Sequence, residues 1–253
     1  LVNLIGNKKI VAWANNEFGT VSVLEFTNSI RYLYFGSDME QSAVLMAQPS
    51  FLMYTYNRAM LLGAFLHQNP QTALFLGLGG GSLVQAALEF LPLDAALAIE
   101  INPHVIDFAY NYLNFRPDLR LSLQQGDAAQ LIQNCGKFDL IFSDLYNAKG
   151  PSDANFKRDF LAQCFSKLNK NGWLIINQWS DENDVPMAAD MLRELFNAKY
   201  WELLVPEGNV ILFIPQNQNA KINQAELKKI TSKLKDALGY SLNSLITKIR
   251  PAS

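Results

Sequence analysis

The stretch Ala73 to Leu83, Ala-Leu-Phe-Leu-Gly-Leu-Gly-Gly-Gly-Ser-Leu, constrains the fold more than any other part of the chain. Successive apolar residues suit a parallel strand covered on both faces, and the glycines after them suit a tight turn into a helix. Without a Cβ, the backbone at Gly77, Gly79, Gly80 and Gly81 can come close to a ligand, with Ser82 at the helix start. The same turn also serves as a plain crossover with nothing bound, so its neighbours decide. A second apolar run, Ala95 to Ile99, ends in Glu100, at the spacing of about 20 residues where a carboxylate accepts hydrogen bonds from ribose hydroxyls. The two features together point to a nucleoside site.

Composition narrows the partners. A chain of 253 residues that is 49% hydrophobic can bury a sizeable core, and its formal charge of −2 offers no basic surface to a nucleic acid. The longest apolar runs are too short to span a bilayer, and the start lacks a signal-peptide pattern. Cys135 and Cys164, without metal-ligand spacing, suit reduced thiols in the cytoplasm, and neither they nor His67 and His104 form a metal motif. No metal is expected.

From Ile10 to Val44, alternation broken by turn residues predicts an antiparallel meander, with Gln41 and Ser42 following its last strand. A helix is expected between Phe51 and Leu66, carrying Tyr54, Tyr56, Arg58 and Met60. After Asn69-Pro70, strand and helix alternate. Strands are expected at 73–77, 95–100, 119–124, 138–143, 172–177, 200–205 and 210–214, and helices near 82–90, 103–112, 128–133, 155–168 and 184–196, which implies a parallel sheet covered on both faces. Only Pro206-Glu207-Gly208-Asn209 joins the last two strands, too short for a crossover, so they pair as a hairpin. This architecture resembles the AdoMet-dependent methyltransferase-like Rossmann fold: seven strands, mostly parallel, with a terminal antiparallel hairpin. The division predicted is a small N-terminal antiparallel β domain over residues 1–48 and a transferase-like domain with C-terminal amphipathic helices over 49–253.

Ligands of open α/β sheets bind beyond the carboxyl ends of the strands, so those ends supply the candidates. Asp127, after Gly126 and before Ala128, can accept the exocyclic amine of an adenine, cap the helix at 128–133, or do both. Asp144 ends an apolar strand, where a carboxylate is rigidly held and partly desolvated; it serves either as a general base or as a turn former. The loop from Ala148 to Asn155 is either a lid or an ordinary connection. Tyr54, Tyr56 and Met60 are core or pocket lining. Arg58 either turns inward to an anion or snorkels outward.

Taken in one order, the meander running into Gln41, Gly-Leu-Gly-Gly-Gly at 77–81, Ile-Glu-Ile-Asn-Pro at 99–103, Gly126-Asp127-Ala128 and the run from Phe138-Asp139 to Asp144 resemble the spermidine synthase family, the polyamine aminopropyltransferases. The resemblance implies that Gln41, the glycines, Glu100 and Asp127 hold the methylthioadenosine part of a sulfonium donor, and that Asp144 prepares an amine acceptor for attack. It also implies a homodimer.

Three departures stand out. Where the family motif continues from its glycines with an Asp that holds the ammonium of decarboxylated AdoMet, this chain has Ser82. The motif after the fourth strand reads Asp144-Leu145-Tyr146-Asn147-Ala148, with an amide at Asn147 in place of a second carboxylate; Tyr146 and Asn147 remain candidates for substrate contact. On an ungapped count, the family's Tyr-Gln-Glu segment falls on Asn57-Arg58-Ala59. A pocket that exchanges carboxylates for hydroxyl and amide and gains a guanidinium is expected to prefer ordinary AdoMet, through Arg58, over decarboxylated AdoMet, and to bind putrescine poorly. Two rival functions share the donor site: a small-molecule methyltransferase and a non-catalytic nucleoside-binding protein.

Overall fold

The computed structural model describes residues 8–26, 29–36, 39–147 and 150–252. Strands β1 (Lys9–Asn16), β2 (Gly19–Phe26), β3 (Ile30–Phe35) and β4 (Met39–Leu45) form an antiparallel sheet in chain order. Gln41 and Ser42, expected after the last strand, lie inside β4, with Ser42 opposite Leu33. A register shift between Leu33 and Tyr34 hides this strand from a strict alternation count. The sheet is not isolated: Val21, Val23, Leu33 and Val44 are at most 1% exposed and belong to one apolar core with the helices of the body.

Helix α1 (Thr55–Ala64) leads to β5 (Thr72–Leu76), α2 (Ser82–Phe90), β6 (Ala95–Glu100), α3 (Pro103–Tyr112), β7 (Leu121–Gln125), α4 (Ala128–Leu131) and β8 (Phe138–Ser143). The two-residue strands β9 (Tyr146–Asn147) and β10 (Gly150–Pro151) pair across the loop read as either a lid or an ordinary connection, whose Ala148 and Lys149 lie outside the described residues. Next come α5 (Arg158–Ser166), β11 (Leu168–Trp179), α6 (Ala189–Leu195), β12 (Trp201–Leu204) and β13 (Asn209–Pro215), then α7 (Gln224–Lys233), α8 (Lys235–Leu238), α9 (Asn243–Ile246) and β14 (Arg250–Pro251). No helix among the described residues is long and apolar enough to cross a membrane.

The main sheet has the order β14-β12-β13-β11-β8-β5-β6-β7. Strands β5 to β8 and β11 run parallel, and β13 is antiparallel to both β11 and β12. The expected hairpin is β12–β13. The eighth strand, β14, was not expected: two residues, one of them proline, carry no periodicity. The helix expected from 184 begins only at Ala189, because Asp184 takes a positive φ of 61° and Pro186 bridges to Ser180.

The period of two along β5 separates the two cores. Ala73 and Phe75 face α1, α2, α3 and the C-terminal helices, whereas Leu74 and Leu76 face α4, α5 and α6. Phe75 stacks on Phe142 of β8 with ring centroids 4.7 Å apart. The chain first adds β6 and β7 on one side of β5 and then returns to place β8 on the other. Strand order therefore reverses at β5, and the crevice beyond its carboxyl end is the topological place for a ligand.

Asp139, in the motif that ends at Asp144, serves the opposite end of the sheet. Its carboxylate accepts hydrogen bonds from the amides of Gln71 (2.8 Å) and Thr72 (3.0 Å), from the Thr72 hydroxyl (3.2 Å) and from Asn169 Nδ2 (2.9 Å), tying β5, β8 and β11 together. Burial pushes this carboxyl up, but the donors outweigh it and hold it below the usual range. Asp139→Ala strands those donors and is expected to cost about 3 kcal/mol of stability, read by urea unfolding. Nucleoside affinity of the folded variant should stay unchanged, since Asp139 lies away from the crevice.

Candidate active site

A cavity of about 500 Å³ opens at the crevice, and Gln41, Gly77, Gly79, Gly80, Gly81, Ser82, Glu100, Asp127, Ala128, Asp144 and Tyr146 all line it. Gly77 sets its floor. At φ +94° its backbone lies where a Cβ would meet the carbonyl oxygen of Asp144 at 2.4 Å, so only glycine brings the two loops this close. The Gly80 amide donates to the Ser42 hydroxyl at 3.0 Å, fastening the glycine turn to β4. Gly81, in the left-handed region, precedes α2. The hydroxyl oxygen of Ser82 is buried without a protein partner.

Glu100, 7% exposed, accepts the Leu78 amide on Oε2 and the Asn102 amide on Oε1, each at 2.9 Å. Burial pushes its carboxyl up, and those amides oppose the shift. Asn102 caps α3 and also accepts a hydrogen bond from Asn16 Nδ2 at 2.9 Å, a second tie to the N-terminal sheet. Asp127 caps α4 by accepting the Ala129 amide at 2.9 Å while lining the cavity, so capping and cavity exposure coexist.

Asp144 stands at the end of a relay. Asn209 Nδ2 donates to Asn177 Oδ1 at 2.9 Å, and Asn177 Nδ2 donates to Asp144 Oδ1 at 2.8 Å. Burial lifts the Asp144 carboxyl to about 6, against the Asn177 bond that favours its charged form. Tyr56 and Tyr146 are pushed well above the ordinary phenol value, first by burial and then by the nearby Asp144 charge, so both remain protonated donors. Tyr56 donates to the Gln41 carbonyl at 3.1 Å, and the Tyr146 hydroxyl accepts from Asn209 Nδ2 at 3.2 Å.

Arg58 requires a correction. It does not line the cavity: its Nε donates to the Leu52 carbonyl at 2.7 Å, and its guanidinium lies 4.2 Å from the centroid of the Tyr240 ring. The carbonyls just before α1 and an aromatic face from the C-terminal segment satisfy the charge that was expected to seek a ligand anion. Tyr56 and Asn57 line the cavity instead, and Ala59, within the Asn57-Arg58-Ala59 segment, is 0% exposed. The side chain of Asn147 lies outside the described residues.

Glu40, Glu207, Asn209 and Trp179 also line the cavity and were missed as site residues. Asn209 and Glu207 sit in what sequence alone marks only as a hairpin turn, and Trp179 ends a strand otherwise assigned to core. Five carboxylates, Glu40, Glu100, Asp127, Asp144 and Glu207, line the cavity, and no Lys, Arg or His does so among the described residues. Nor, among those residues, is any group of three or more His, Cys, Asp or Glu side chains placed to hold a metal ion.

The model of the Spermine/spermidine synthase domain matches residues 54–226. Over 246 residues the chain is 30% identical to the polyamine aminopropyltransferase of Neisseria meningitidis, covering 95% of this chain and 92% of that protein. Spermidine synthase from Thermotoga maritima superposes with a TM-score of 0.75 at 16% identity, over 97% of this chain and 84% of that one. Human methyltransferase-like protein 13, solved with SAH, superposes with a TM-score of 0.64 at 24% identity, over 74% of this chain and 93% of that one. The last two likenesses show a common fold.

Gly77→Ala forces a Cβ against the Asp144 carbonyl in a backbone region that side chains rarely adopt. It is expected to lower stability by about 2 kcal/mol or more and to weaken methylthioadenosine binding at least tenfold, measured by thermal unfolding and titration calorimetry.

Proposed function

The chain belongs to the spermine/spermidine synthase family, and from that premise we propose that it transfers an aminopropyl group from decarboxylated AdoMet to a small amine, releasing methylthioadenosine. The observation that carries this reading is the charge of the cavity wall, five carboxylates and no cationic side chain among the described residues. The donor brings a sulfonium and an ammonium, and the acceptor brings further ammonium groups; each leaves water at a cost that a nearby carboxylate offsets. Ordinary AdoMet adds a carboxylate, for which the wall offers no cationic partner among the described residues. Arg58, on which the opposite preference was expected to rest, is engaged elsewhere.

In this reading Glu100 receives the ribose hydroxyls, Asp127 the adenine amine, and the glycine turn lies against the nucleoside with Gln41 across from it. The Ser82 hydroxyl, lacking a protein partner, is available to the donor's aminopropyl end. The acceptor nitrogen attacks the carbon bonded to sulfur; the C–N bond forms as the C–S bond breaks, and the electron pair neutralises the sulfonium to a thioether. The proton displaced from the nitrogen passes to Asp144, whose orientation the Asn209–Asn177 relay holds. No covalent enzyme intermediate is needed: alignment and proton removal suffice. The free thiols of Cys135 and Cys164 support a reducing, cytoplasmic setting, and Ile10 and Trp13, exposed on edge strand β1, support a homodimer.

Because burial raises Asp144 to about 6, kcat/KM should rise with pH through that value as the carboxyl ionises. Removing the Asn177 donor in Asn177→Ala withdraws support from the charged form and should move the midpoint upward. Asp144→Asn is expected to lower kcat by about 10²- to 10⁴-fold with methylthioadenosine affinity retained. The decisive assay offers both donors with putrescine and identifies the product: methylthioadenosine supports the reading, whereas S-adenosylhomocysteine formed from AdoMet overturns it in favour of methyl transfer.

A further inference from the structure

Arg58 satisfies its charge without touching the cavity, and its partners all lie around the entrance to α1. Its Nε donates to the Leu52 carbonyl at 2.7 Å and its Nη2 to the Met53 carbonyl at 3.4 Å. The guanidinium stands 4.2 Å from the Tyr240 ring centroid and 5.5 Å from that of Phe51, and the two rings meet edge to face at 5.5 Å. Tyr240 comes from the C-terminal segment. There Gly239 turns the chain at φ 76° after α8, and a Cβ on it would stand 3.0 Å from the Phe51 ring. Leu238, Leu242 and Ile246, on either side of Tyr240, are buried in the same core as α1.

The helix they surround has a fixed end and a weakly specified one. Met60, Leu61 and Leu62 are 0% exposed, and a Cβ on Gly63 would stand 2.7 Å from the Phe213 ring, so the later turns of α1 are locked in the core. At the start, Tyr54 supplies no side-chain cap and the first turn holds no acidic residue. The Thr55 amide finds Glu207 Oε1 at 2.6 Å, and the carbonyls of the two residues before Tyr54 find Arg58. This start carries Tyr54, Tyr56 and Asn57, which line the cavity. Tyr54 stacks on Tyr56 with ring planes 13° from parallel, Tyr56 donates to the Gln41 carbonyl at 3.1 Å, and Tyr56 is near enough to Asp144 for that charge to raise its phenol. Where α1 begins therefore decides how those three side chains stand against Asp144.

We propose that Arg58 is a positioning residue for the transfer, acting through the Leu52 and Met53 carbonyls, and that the C-terminal segment shapes the active site through the Tyr240 ring covering the guanidinium. The proposal rests on the aminopropyl-transfer reading only for the reaction in which its effect on rate is measured. None of Phe51, Leu52, Met53, Arg58 and Tyr240 lines the cavity, so none acts on the substrates directly. Nucleoside contacts come from the main sheet, at Glu100, Asp127 and the glycine turn, and lie outside the reach of this clasp. A guanidinium held by two carbonyls and a π-face needs no anion, whereas one stripped of either leaves a part-buried charge without its partners.

The test uses Arg58→Met, Arg58→Lys, Tyr240→Leu, Tyr240→Phe and the double variant Arg58→Met with Tyr240→Leu, each normalised to its folded fraction by urea unfolding. Kinetics with decarboxylated AdoMet and putrescine are set beside methylthioadenosine calorimetry. Misalignment lowers rate rather than nucleoside affinity, so in Arg58→Met kcat should fall about tenfold while the methylthioadenosine Kd moves less than about threefold. Lys, a point charge without the planar fork, should recover only part of that rate. Tyr240→Leu should lower kcat about threefold to fivefold, and the double variant should lose no more than Arg58→Met, because both changes remove one contact. Tyr240→Phe keeps the ring and drops a hydroxyl that is buried without a partner, and should restore the rate. A kcat within about twofold of wild type in Arg58→Met, a parallel loss of nucleoside affinity, or losses that multiply in the double variant overturns the proposal. Should Arg58→Met fail to fold, the two Tyr240 variants decide by the same readings. Hydrogen exchange in the methylthioadenosine complex keeps the two claims apart. The amides of residues 58–60, bonded to the first-turn carbonyls, should exchange at least about tenfold faster in Arg58→Met or Tyr240→Leu, with β5 unchanged. Wild type that releases no methylthioadenosine sinks the assigned reaction alone and leaves exchange to decide the positioning; release with exchange unchanged at 58–60 sinks the positioning alone.

Discussion

The contact on which the site depends is the one between a missing side chain and a carbonyl. At Gly77 the backbone passes so near the Asp144 carbonyl oxygen that any Cβ would stand 2.4 Å from it. The sheet ladder continues just past its named strands on both sides of that contact: the Gly77 amide donates to the Ile99 carbonyl and the Asp144 amide to the Leu76 carbonyl, each at 2.9 Å. Glycine turn, Glu100 and Asp144 are therefore positioned by one hydrogen-bonded grid. Side chains carried on such a grid keep their mutual geometry without the ordering cost a loop would bear.

The N-terminal sheet enters this arrangement as a wall rather than an appendage. Ser42 receives the Gly80 amide, Asn16 reaches Asn102 at the cap of α3, and Gln41 accepts the Tyr56 hydroxyl on its carbonyl. Each bond joins the sheet to a different part of the crevice, and the sheet shares one apolar core with the body beneath them. The lower local dielectric beside that core strengthens the part-buried polar contacts.

Much of this was legible in the residues. Largely apolar runs mark β5, β6 and β8 because sheet strands covered on both faces are apolar along their length, and carboxylates closing such runs announce themselves as strand-end groups. Arg58 shows where the inference failed. Helical spacing places it on a largely apolar helix, but which carbonyls and rings lie beside it depends on the path of residues 51–53 and on Tyr240, far along the chain. Glu207 and Asn209 were invisible for the same reason: a Pro-Glu-Gly-Asn turn has the composition of any hairpin, and only the register of β12 on β13 brings it over the site. Local pattern predicts elements well and predicts contacts between distant elements poorly, since those are decided by packing.

The electrostatics then follow from where the carboxylates stand relative to water. Glu100 and Asp144 are enclosed, and burial raises both, Asp144 to about 6, so the empty cavity holds its negative charge reluctantly. A sulfonium and an ammonium arriving nearby favour the charged carboxylates, and must draw the Asp144 value down as they bind. Ligand entry and ionisation of the base are thus the same event seen from two sides: the cations stabilise the carboxylate, and the carboxylate stabilises the cations. The exposed pair Glu40 and Glu207 remains hydrated, offering a first attraction at the mouth without the desolvation that Asp144 bears. An amine moving inward passes from weakly held, solvated charge to strongly coupled, buried charge, which places the steepest electrostatic gain where the proton is removed.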